Sequence, residues 1–128
     1  MNPPKRTGLA GRVASFGHAL RGLRVLVATQ ANARIHVVAT VLAIVAGCSF
    51  GLMPLEWCAV AAAIGIVWLA EGLNTALEFL TDLVSPEQHP LAGKAKDVAA
   101  GAVLAASIAA AGIGAIIFGP KLWLLLAH

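Results

Sequence analysis

The sequence predicts an all-α membrane protein in which an N-terminal amphipathic surface helix precedes three transmembrane helices. The chain of 128 residues is 59% hydrophobic and 12% charged, and its mean hydropathy is +0.86. Soluble domains carry about 25% charged residues, twice the fraction found here. The long uncharged stretches have the length of helices that cross a bilayer. The chain length allows one domain, residues 1–128.

A basic arm opens the chain. Residues 1–34 hold six of the nine Lys and Arg residues, and no acidic residue precedes Glu56. Within the arm, residues 12–29 place apolar side chains at steps of three and four with arginines between them, which predicts an amphipathic helix at the membrane interface. A basic arm also suits nucleic acid, but a hydrophobic segment follows this one. The positive-inside rule therefore explains the charge better and places the arm in the cytoplasm, so no nucleic-acid partner is expected.

Three apolar stretches predict membrane spans at residues 35–52, 57–80 and 98–126. The first carries no charge and is close to the minimum length of a spanning helix. A turn around Pro54 and a polar loop with two prolines separate the spans. When the spans alternate across the membrane, eight of the nine basic residues lie on the cytoplasmic side and only Lys121 lies outside. This distribution favours three spans, with the loop after the second span in the cytoplasm.

The third span is rich in Ala and Gly, and Gly119-Pro120-Lys121 interrupts its far end. Small residues let helices approach closely in a membrane, so an oligomer is expected. The run GIGAIIFG at 112–119 lacks the spacing and the βαβ context of a dinucleotide-binding loop, and it predicts helix packing instead. Cys48 and Cys58 lie in apolar surroundings, where cysteines fill space more often than they bind metal.

Polar residues appear at helical spacing where the second span ends. Glu71, Asn74 and Glu78 are three and then four residues apart, so they share one face of a helix. Asp82 extends this stripe by one turn. Ionisable residues inside a membrane are costly and usually face a functional interior. We therefore interpret Glu71 and Glu78 as functional residues and Asp82 as the exit of the helix into water.

The residue types around this face indicate phosphoryl transfer. Carboxylates on one face suit Mg²⁺, and lysines just after the polar loop suit a polyphosphate. At a membrane interface, this combination indicates transfer to a lipid, in which a carboxylate accepts the hydroxyl proton. The sequence has no GxxxxGK[ST] motif, so a nucleotide site here is not a P-loop.

The run EGLNTALEFLTDLVSPEQHPLAGKAKDVAAGAVL, residues 71–104, closely resembles the small bacterial integral-membrane diacylglycerol kinase and undecaprenol kinase family. FGHALRGL and NARIH, upstream, also resemble that family's pattern, so the likeness runs from Arg12 to the third span. The resemblance implies a homotrimer in the bacterial inner (cytoplasmic) membrane, with active sites shared between subunits. It implies transfer of the γ-phosphate of ATP, with Mg²⁺, to a lipid hydroxyl on the cytoplasmic side.

The resemblance also implies roles for individual residues. Glu71 matches the general base, with Asn74 and Asp97 as catalytic residues beside it. Glu78 and Gln30 match the metal ligands. The residues implied to bind the nucleotide are His18, Gln30, Glu78, Glu87, Gln88, His89, Gly93, Lys96 and Asp97. Those implied to contact the lipid substrate are Arg34, Glu71 and Ala100. Two of these have structural alternatives, because Asp97 could cap the third helix and Arg34 could be a snorkelling anchor.

Two positions depart from the family pattern. Gln30 stands where the family often has a second metal-binding glutamate, and glutamine offers a carbonyl oxygen without charge. Either Mg²⁺ binds more weakly, or the nucleotide phosphates supply most of the ligands. His18 and Gln88 stand in the adenine region, where some members have an aromatic residue.

SPEQHPLA and KDVAAGAVL look more like the undecaprenol kinase branch, so undecaprenol is the expected acceptor. The alternative is a diacylglycerol kinase that makes phosphatidate. An alternative of another class is a non-catalytic membrane protein that binds nucleotide or lipid, which Gln30 favours and the intact polar face disfavours. A transporter is disfavoured because three short spans offer no polar path through the outer half of the membrane.

Overall fold

A computed structural model describes residues 8–87 and 89–127, apart from the side chain of Ala10. Most of the N-terminal tail, with Lys5 and Arg6, and the predicted nucleotide-binding residue Gln88 lie outside the described residues. Four helices make up the described chain: α1 Leu9–Thr29, α2 Ala31–Phe50, α3 Pro54–Val84 and α4 Pro90–Leu126. Of these, α2, α3 and α4 are long and apolar enough to cross a membrane. The described chain contains no strand, and the all-α membrane fold class is confirmed.

A single extended residue separates α1 from α2. Gln30 has φ −103° and ψ 123°, and its backbone N–H donates to the carbonyl of Leu26. Most apolar side chains of α1 are exposed, including Phe16 and Leu20, whereas Leu26 is buried. We expect such a helix, with exposed apolar side chains beside arginines, to lie in the membrane interface.

The turn between α2 and α3 is short, and favourable caps close both the end of α2 and the start of α3. Gly51 adopts a left-handed conformation with φ 62°, and the N–H of Leu52 donates to the carbonyl of Gly47. This closure is typical of helix C-termini, where glycine accepts positive φ without steric cost. Pro54 occupies the first turn of α3, and the N–H of Met53 donates to Glu56 Oε2 at 2.8 Å. Pro and Glu at these positions stabilise a helix start.

Helices α3 and α4 form the most extensive contact between helices. The buried residues of α4 are small, namely Ala99, Val103 and Ala106, and small side chains let membrane helices approach closely. On α3 the buried residues follow each other at steps of three and four. In order they are Val60, Ala63, Val67, Glu71 and Asn74, and Thr75, four residues after Glu71, is buried beside them. One continuous stripe of α3 therefore changes from apolar to polar along its length while it stays buried.

An ion pair connects the start of α3 to the last part of α4. Lys121 Nζ lies 3.1 Å from Glu56 Oε1, and Phe50 packs against Phe118 with ring centroids 6.3 Å apart. Lys121, the one basic residue that departs from the positive-inside pattern, thus has an acidic partner.

The predicted interruption of the third span at residues 119–121 does not occur. Helix α4 runs through Pro120 to Leu126. Membrane helices tolerate an internal proline because neighbouring groups satisfy the freed backbone carbonyl.

Helix α4 begins earlier than the third predicted span. Its first residue is Pro90, and its N-cap is His89, whose Nδ1 accepts a hydrogen bond from the N–H of Leu91 at 3.2 Å. Asp97 therefore lies inside the helix, and the alternative that Asp97 caps it is wrong. Proline is favoured in the first turn of a helix, where its missing N–H needs no partner. Pro90 therefore favours a start of α4 at residue 90. The polar segment 90–97 is thereby part of a rigid helix.

We expect Gly47→Ala to destabilise the fold. A Cβ at Gly47 would lie 2.6 Å from Trp57 Cη2 and 2.9 Å from Trp57 Cζ2, so the indole must move out of its packing place. Overpacking of this kind costs about 1–3 kcal/mol. Thermal unfolding in detergent, followed by circular dichroism, should show a lower midpoint.

The matched control is Gly65→Ala, because Gly65 lies on α3, outside the Ala- and Gly-rich third span, and a Cβ there meets nothing within 4 Å. This variant should unfold at or above the wild-type midpoint, since alanine favours a helix over glycine. Equal midpoints for the two alanine variants would mean that the contact between Gly47 and Trp57 does not limit packing.

Candidate active site

The polar end of the buried α3 stripe contains three side chains withdrawn from solvent. Glu71 is 1% exposed, Thr75 3% and Asn74 6%. Burial of polar groups is unfavourable unless other polar groups satisfy them. The atoms Glu71 Oε2, Asn74 Oδ1 and Thr75 Oγ1 have no hydrogen-bond partner within the described chain. Such a cluster of unpaired polar atoms marks a place where a ligand can supply the missing partners.

Glu78 receives one hydrogen bond from its own helix and one from the residue between α1 and α2. Asn74 Nδ2 donates to Glu78 Oε1 at 3.0 Å, and Gln30 Nε2 donates to Glu78 Oε2 at 3.4 Å. The second bond joins residues 48 positions apart in the chain, and it is possible because Gln30 is the extended residue between α1 and α2. The structure thus brings together Glu78 and Gln30, the two residues predicted to bind metal.

The donor set around Glu78 fits Mg²⁺ bound largely through phosphates. The described residues contain no group of three His, Cys, Asp or Glu side chains that could hold a metal ion. Mg²⁺ commonly takes one or two carboxylates and completes its shell with water and substrate phosphates. Glu78 offers one carboxylate, and the buried Asn74 Oδ1 is an oxygen without a partner. These oxygens suit a cation that arrives with a nucleotide.

A cavity of about 290 Å³ opens beside Asn74 and Glu78. Residues of three helices line it: Asn32, Ile35 and His36 from α2, Asn74 and Glu78 from α3, and Ala100, Val103, Leu104 and Ser107 from α4. Ala100, which was predicted to contact the lipid substrate, therefore lines the same cavity as Asn74 and Glu78.

Glu71 faces a histidine that the sequence analysis did not assign. His36 Nε2 lies 3.8 Å from Glu71 Oε2, and the His36 side chain is 13% exposed. The imidazole packs edge-on against Trp68, with ring centroids 6.4 Å apart. Trp68 Nε1 in turn donates to Thr40 Oγ1 at 3.0 Å. A titratable residue inside an otherwise uncharged span was the signal that could have identified His36.

A second polar cavity, of about 410 Å³, lies where α3 ends and α4 begins. It gathers four residues that were predicted to bind nucleotide, Glu87, His89, Gly93 and Lys96, and adds Thr81, Asp82, Ser85, Pro86, Pro90 and Ala92. These side chains form a pocket with both acidic and basic groups at the end of the span.

Asp82 does more than mark the exit of α3 into water. Its Oδ1 accepts a hydrogen bond from Lys96 Nζ, and this pair bridges α3 and α4. The Asp82 side chain is 64% exposed and that of Lys96 39%, and solvent-exposed ion pairs contribute only about 0–1 kcal/mol. The lysine is therefore held over the cavity by a bond that a phosphate oxygen can replace at little cost.

Three other predicted site residues do not line the two polar cavities of the single chain. Asp97 and Arg34 are exposed, and neither lines the two polar cavities. His18 lies on the exposed face of α1, where its Nδ1 is 2.7 Å from Arg21 Nη2. Within the described residues, α1 makes no contact with α4. His18 is therefore not brought to the cavity between α3 and α4 by its own chain.

An apolar groove of about 330 Å³ runs between α2, α3 and α4, starting beside His36 and Trp68. Its walls are apolar apart from a few side chains such as Thr40 and Ser107, and it extends to Phe118 at the other end of the helices. A hydrocarbon chain fits such a groove. Glu71 does not line the groove, but His36 Nε2, at the end of the groove opposite Phe118, lies 3.8 Å from Glu71 Oε2.

Comparisons with known proteins agree on one family. The family model described as prokaryotic diacylglycerol kinase matches residues 17–118. The undecaprenol kinase of Bacillus subtilis is 40% identical over 108 residues, which cover 84% of this chain and 88% of that protein. The diacylglycerol kinase of Synechocystis is 41% identical over 111 residues, covering 86% and 63% of the two chains. That of Escherichia coli K12 is 33% identical over 104 residues, covering 81% and 85%.

Proposed function

The chain belongs to the prokaryotic diacylglycerol kinase family, and from this premise we propose that it phosphorylates undecaprenol in preference to diacylglycerol. Membership makes it a membrane lipid kinase with ATP as phosphoryl donor. The undecaprenol kinase of Bacillus subtilis aligns over 88% of its own length. The segments SPEQHPLA and KDVAAGAVL support the same acceptor. Diacylglycerol is the second candidate, because the Synechocystis diacylglycerol kinase is 41% identical.

We propose that Glu71 is the general base. Its carboxylate is buried at the polar end of the α3 stripe, beside an apolar groove that can hold a lipid chain. In this mechanism the lipid hydroxyl gives its proton to Glu71, and its oxygen attacks the γ-phosphorus of ATP. The bond from that phosphorus to the β,γ-bridging oxygen breaks, and ADP leaves. The burial of this carboxylate is the observation that carries the proposal.

We propose that Glu78 holds Mg²⁺ together with the side-chain oxygens of Asn74 and Gln30. The ion would neutralise charge on the transferring phosphates. Gln30 now donates its amide nitrogen to Glu78, so the amide must rotate to offer its oxygen. Lys96 would exchange Asp82 for a phosphate oxygen, with Glu87, His89, Gly93, Gln88 and Asp97 around the nucleotide. The bond to phosphate is charge-assisted, as is the exposed pair that it replaces, so the exchange costs little free energy.

We propose a homotrimer in the bacterial inner membrane, with the N-terminus and the active site on the cytoplasmic side. The charge distribution supports this orientation, because Lys121 is the one basic residue at the outer ends of the spans. The exposed positions of His18, Arg34 and Asp97 in one chain support sites shared between subunits. In such a trimer, a neighbouring subunit brings these side chains to the nucleotide and the lipid.

The acceptor is tested by a parallel assay on the purified protein. Detergent-solubilised enzyme receives Mg²⁺-ATP with undecaprenol, diacylglycerol or a monoacylglycerol, and the phosphorylated lipid is measured. We expect phosphorylation of undecaprenol with the highest kcat/KM. A higher kcat/KM for diacylglycerol would contradict the proposed acceptor, and no phosphorylation of any lipid would contradict the proposed catalysis.

The metal site is tested by Gln30→Glu. A second carboxylate beside Glu78 should strengthen Mg²⁺ binding, so half-maximal activity should need a several-fold lower Mg²⁺ concentration. Activity is titrated against Mg²⁺ at fixed ATP.

Thr29→Glu is the matched control, because it adds the same charge one residue away, at an exposed position. Its Mg²⁺ titration should follow that of the wild type. An identical titration for Gln30→Glu would show that residue 30 is not at the metal.

A further inference from the structure

The carboxylate proposed as the base has one polar neighbour on another helix. His36 Nε2 is 3.8 Å from Glu71 Oε2, and both atoms are buried without a hydrogen-bond partner in the described chain. Burying two polar groups without partners costs free energy, and a hydrogen bond between the two groups offsets that cost. The distance is longer than a hydrogen bond, but a small rotation of either side chain closes it, and catalytic hydrogen bonds often tighten only when substrate is bound.

The imidazole itself is held by a chain of contacts that ends on its own helix. His36 packs edge-on against Trp68, and the indole N–H of Trp68 donates to Thr40 Oγ1 at 3.0 Å. Thr40 lies one turn after His36 on α2, whereas Trp68 lies one turn before Glu71 on α3. The hydrogen bond between the two helices therefore fixes the register at which His36 meets Glu71.

A buried base needs such an orienting partner. The side chain of glutamate has three rotatable bonds, and a carboxylate without hydrogen bonds has no fixed direction in which to accept a proton. A displacement of about 1 Å from the productive geometry can cost about 100-fold in rate. His36 Nε2 lies 3.8 Å from Glu71 Oε2, and its N–H can orient the carboxylate once this distance shortens to that of a hydrogen bond.

We propose that His36 is a positioning residue for Glu71. With a hydrogen on Nε2, the imidazole donates to Glu71 Oε2 and leaves the other carboxylate oxygen to accept the proton of the lipid hydroxyl. Trp68, held by Thr40, keeps the imidazole in place. This inference rests on the proposed function of Glu71 as the base, and it adds a residue from the first span to the catalytic arrangement.

The proposal is tested by comparing His36→Ala, His36→Gln and Val38→Ala in the lipid kinase assay. His36→Ala should lower kcat by about 10- to 100-fold. KM for ATP should change much less, because His36 borders the cavity beside Asn74 and Glu78 but not the cavity that gathers Glu87, His89, Gly93 and Lys96. His36→Gln keeps an N–H donor and should recover most of kcat. Val38 lies on the same helix and is 59% exposed, so Val38→Ala should match the wild type.

A wild-type kcat in His36→Ala would overturn the proposal. So would a His36→Gln variant no more active than His36→Ala, or a loss that appears only in KM for ATP. Size-exclusion chromatography in detergent identifies variants that fail to fold. If His36→Ala fails, Trp68→Phe replaces it, because this change keeps an aromatic ring and removes the bond to Thr40. Trp68→Phe should lower kcat several-fold at unchanged KM, and a wild-type kcat would then overturn the proposal.

The outcome for His36 is separable from the outcome for the proposed function. A wild-type protein that phosphorylates no lipid contradicts the proposed function and removes the basis of this test. A wild-type protein that is an active lipid kinase, with a His36→Ala variant equal to Val38→Ala, contradicts only the positioning role.

Discussion

Burial of polar side chains on α3 is the constraint on which the rest of the structure depends. A carboxylate in contact with lipid is costly, so Glu71, Asn74 and Thr75 must face other helices. This requirement fixes the rotation of α3 about its axis. It also explains the packing against α4, where the small residues Ala99 and Ala106 leave room for a close approach.

The same stripe of α3 connects an apolar space to a polar one. Val60 and Val67 line the apolar groove, and Asn74 and Glu78 line the polar cavity. Glu71 lies between these two pairs on the helix. A lipid kinase must bring a hydroxyl group on a hydrocarbon chain to a charged phosphate, so a helix face that changes from apolar to polar supplies both environments. The proposed reaction takes place at this change.

The fold class and the polar face could be predicted from the sequence because both depend on local periodicity. The contact between Gln30 and Glu78 joins distant segments of the chain. Only the resemblance to a family predicted that these two residues act together. One alternative was wrong for a physical reason: Asp97 is not a cap because Pro90 starts α4 earlier. Asp82 lies exposed near the end of α3, as predicted, and it also pairs with Lys96 because the loop between α3 and α4 returns the chain to it. The position of His36 beside Glu71 depends on how α2 packs against α3, which a single sequence does not reveal.

The central claim is that the buried Glu71 is the base, and Glu71→Gln tests it most directly. The amide keeps the size of the side chain but accepts protons far less readily, so lipid phosphorylation should fall by at least about 100-fold. ATP binding, measured by equilibrium dialysis, should remain. Glu56→Gln is the matched control, because it makes the same change at the other end of α3 and should leave turnover intact. Substantial turnover in Glu71→Gln, or loss of ATP binding together with turnover, would contradict the assignment.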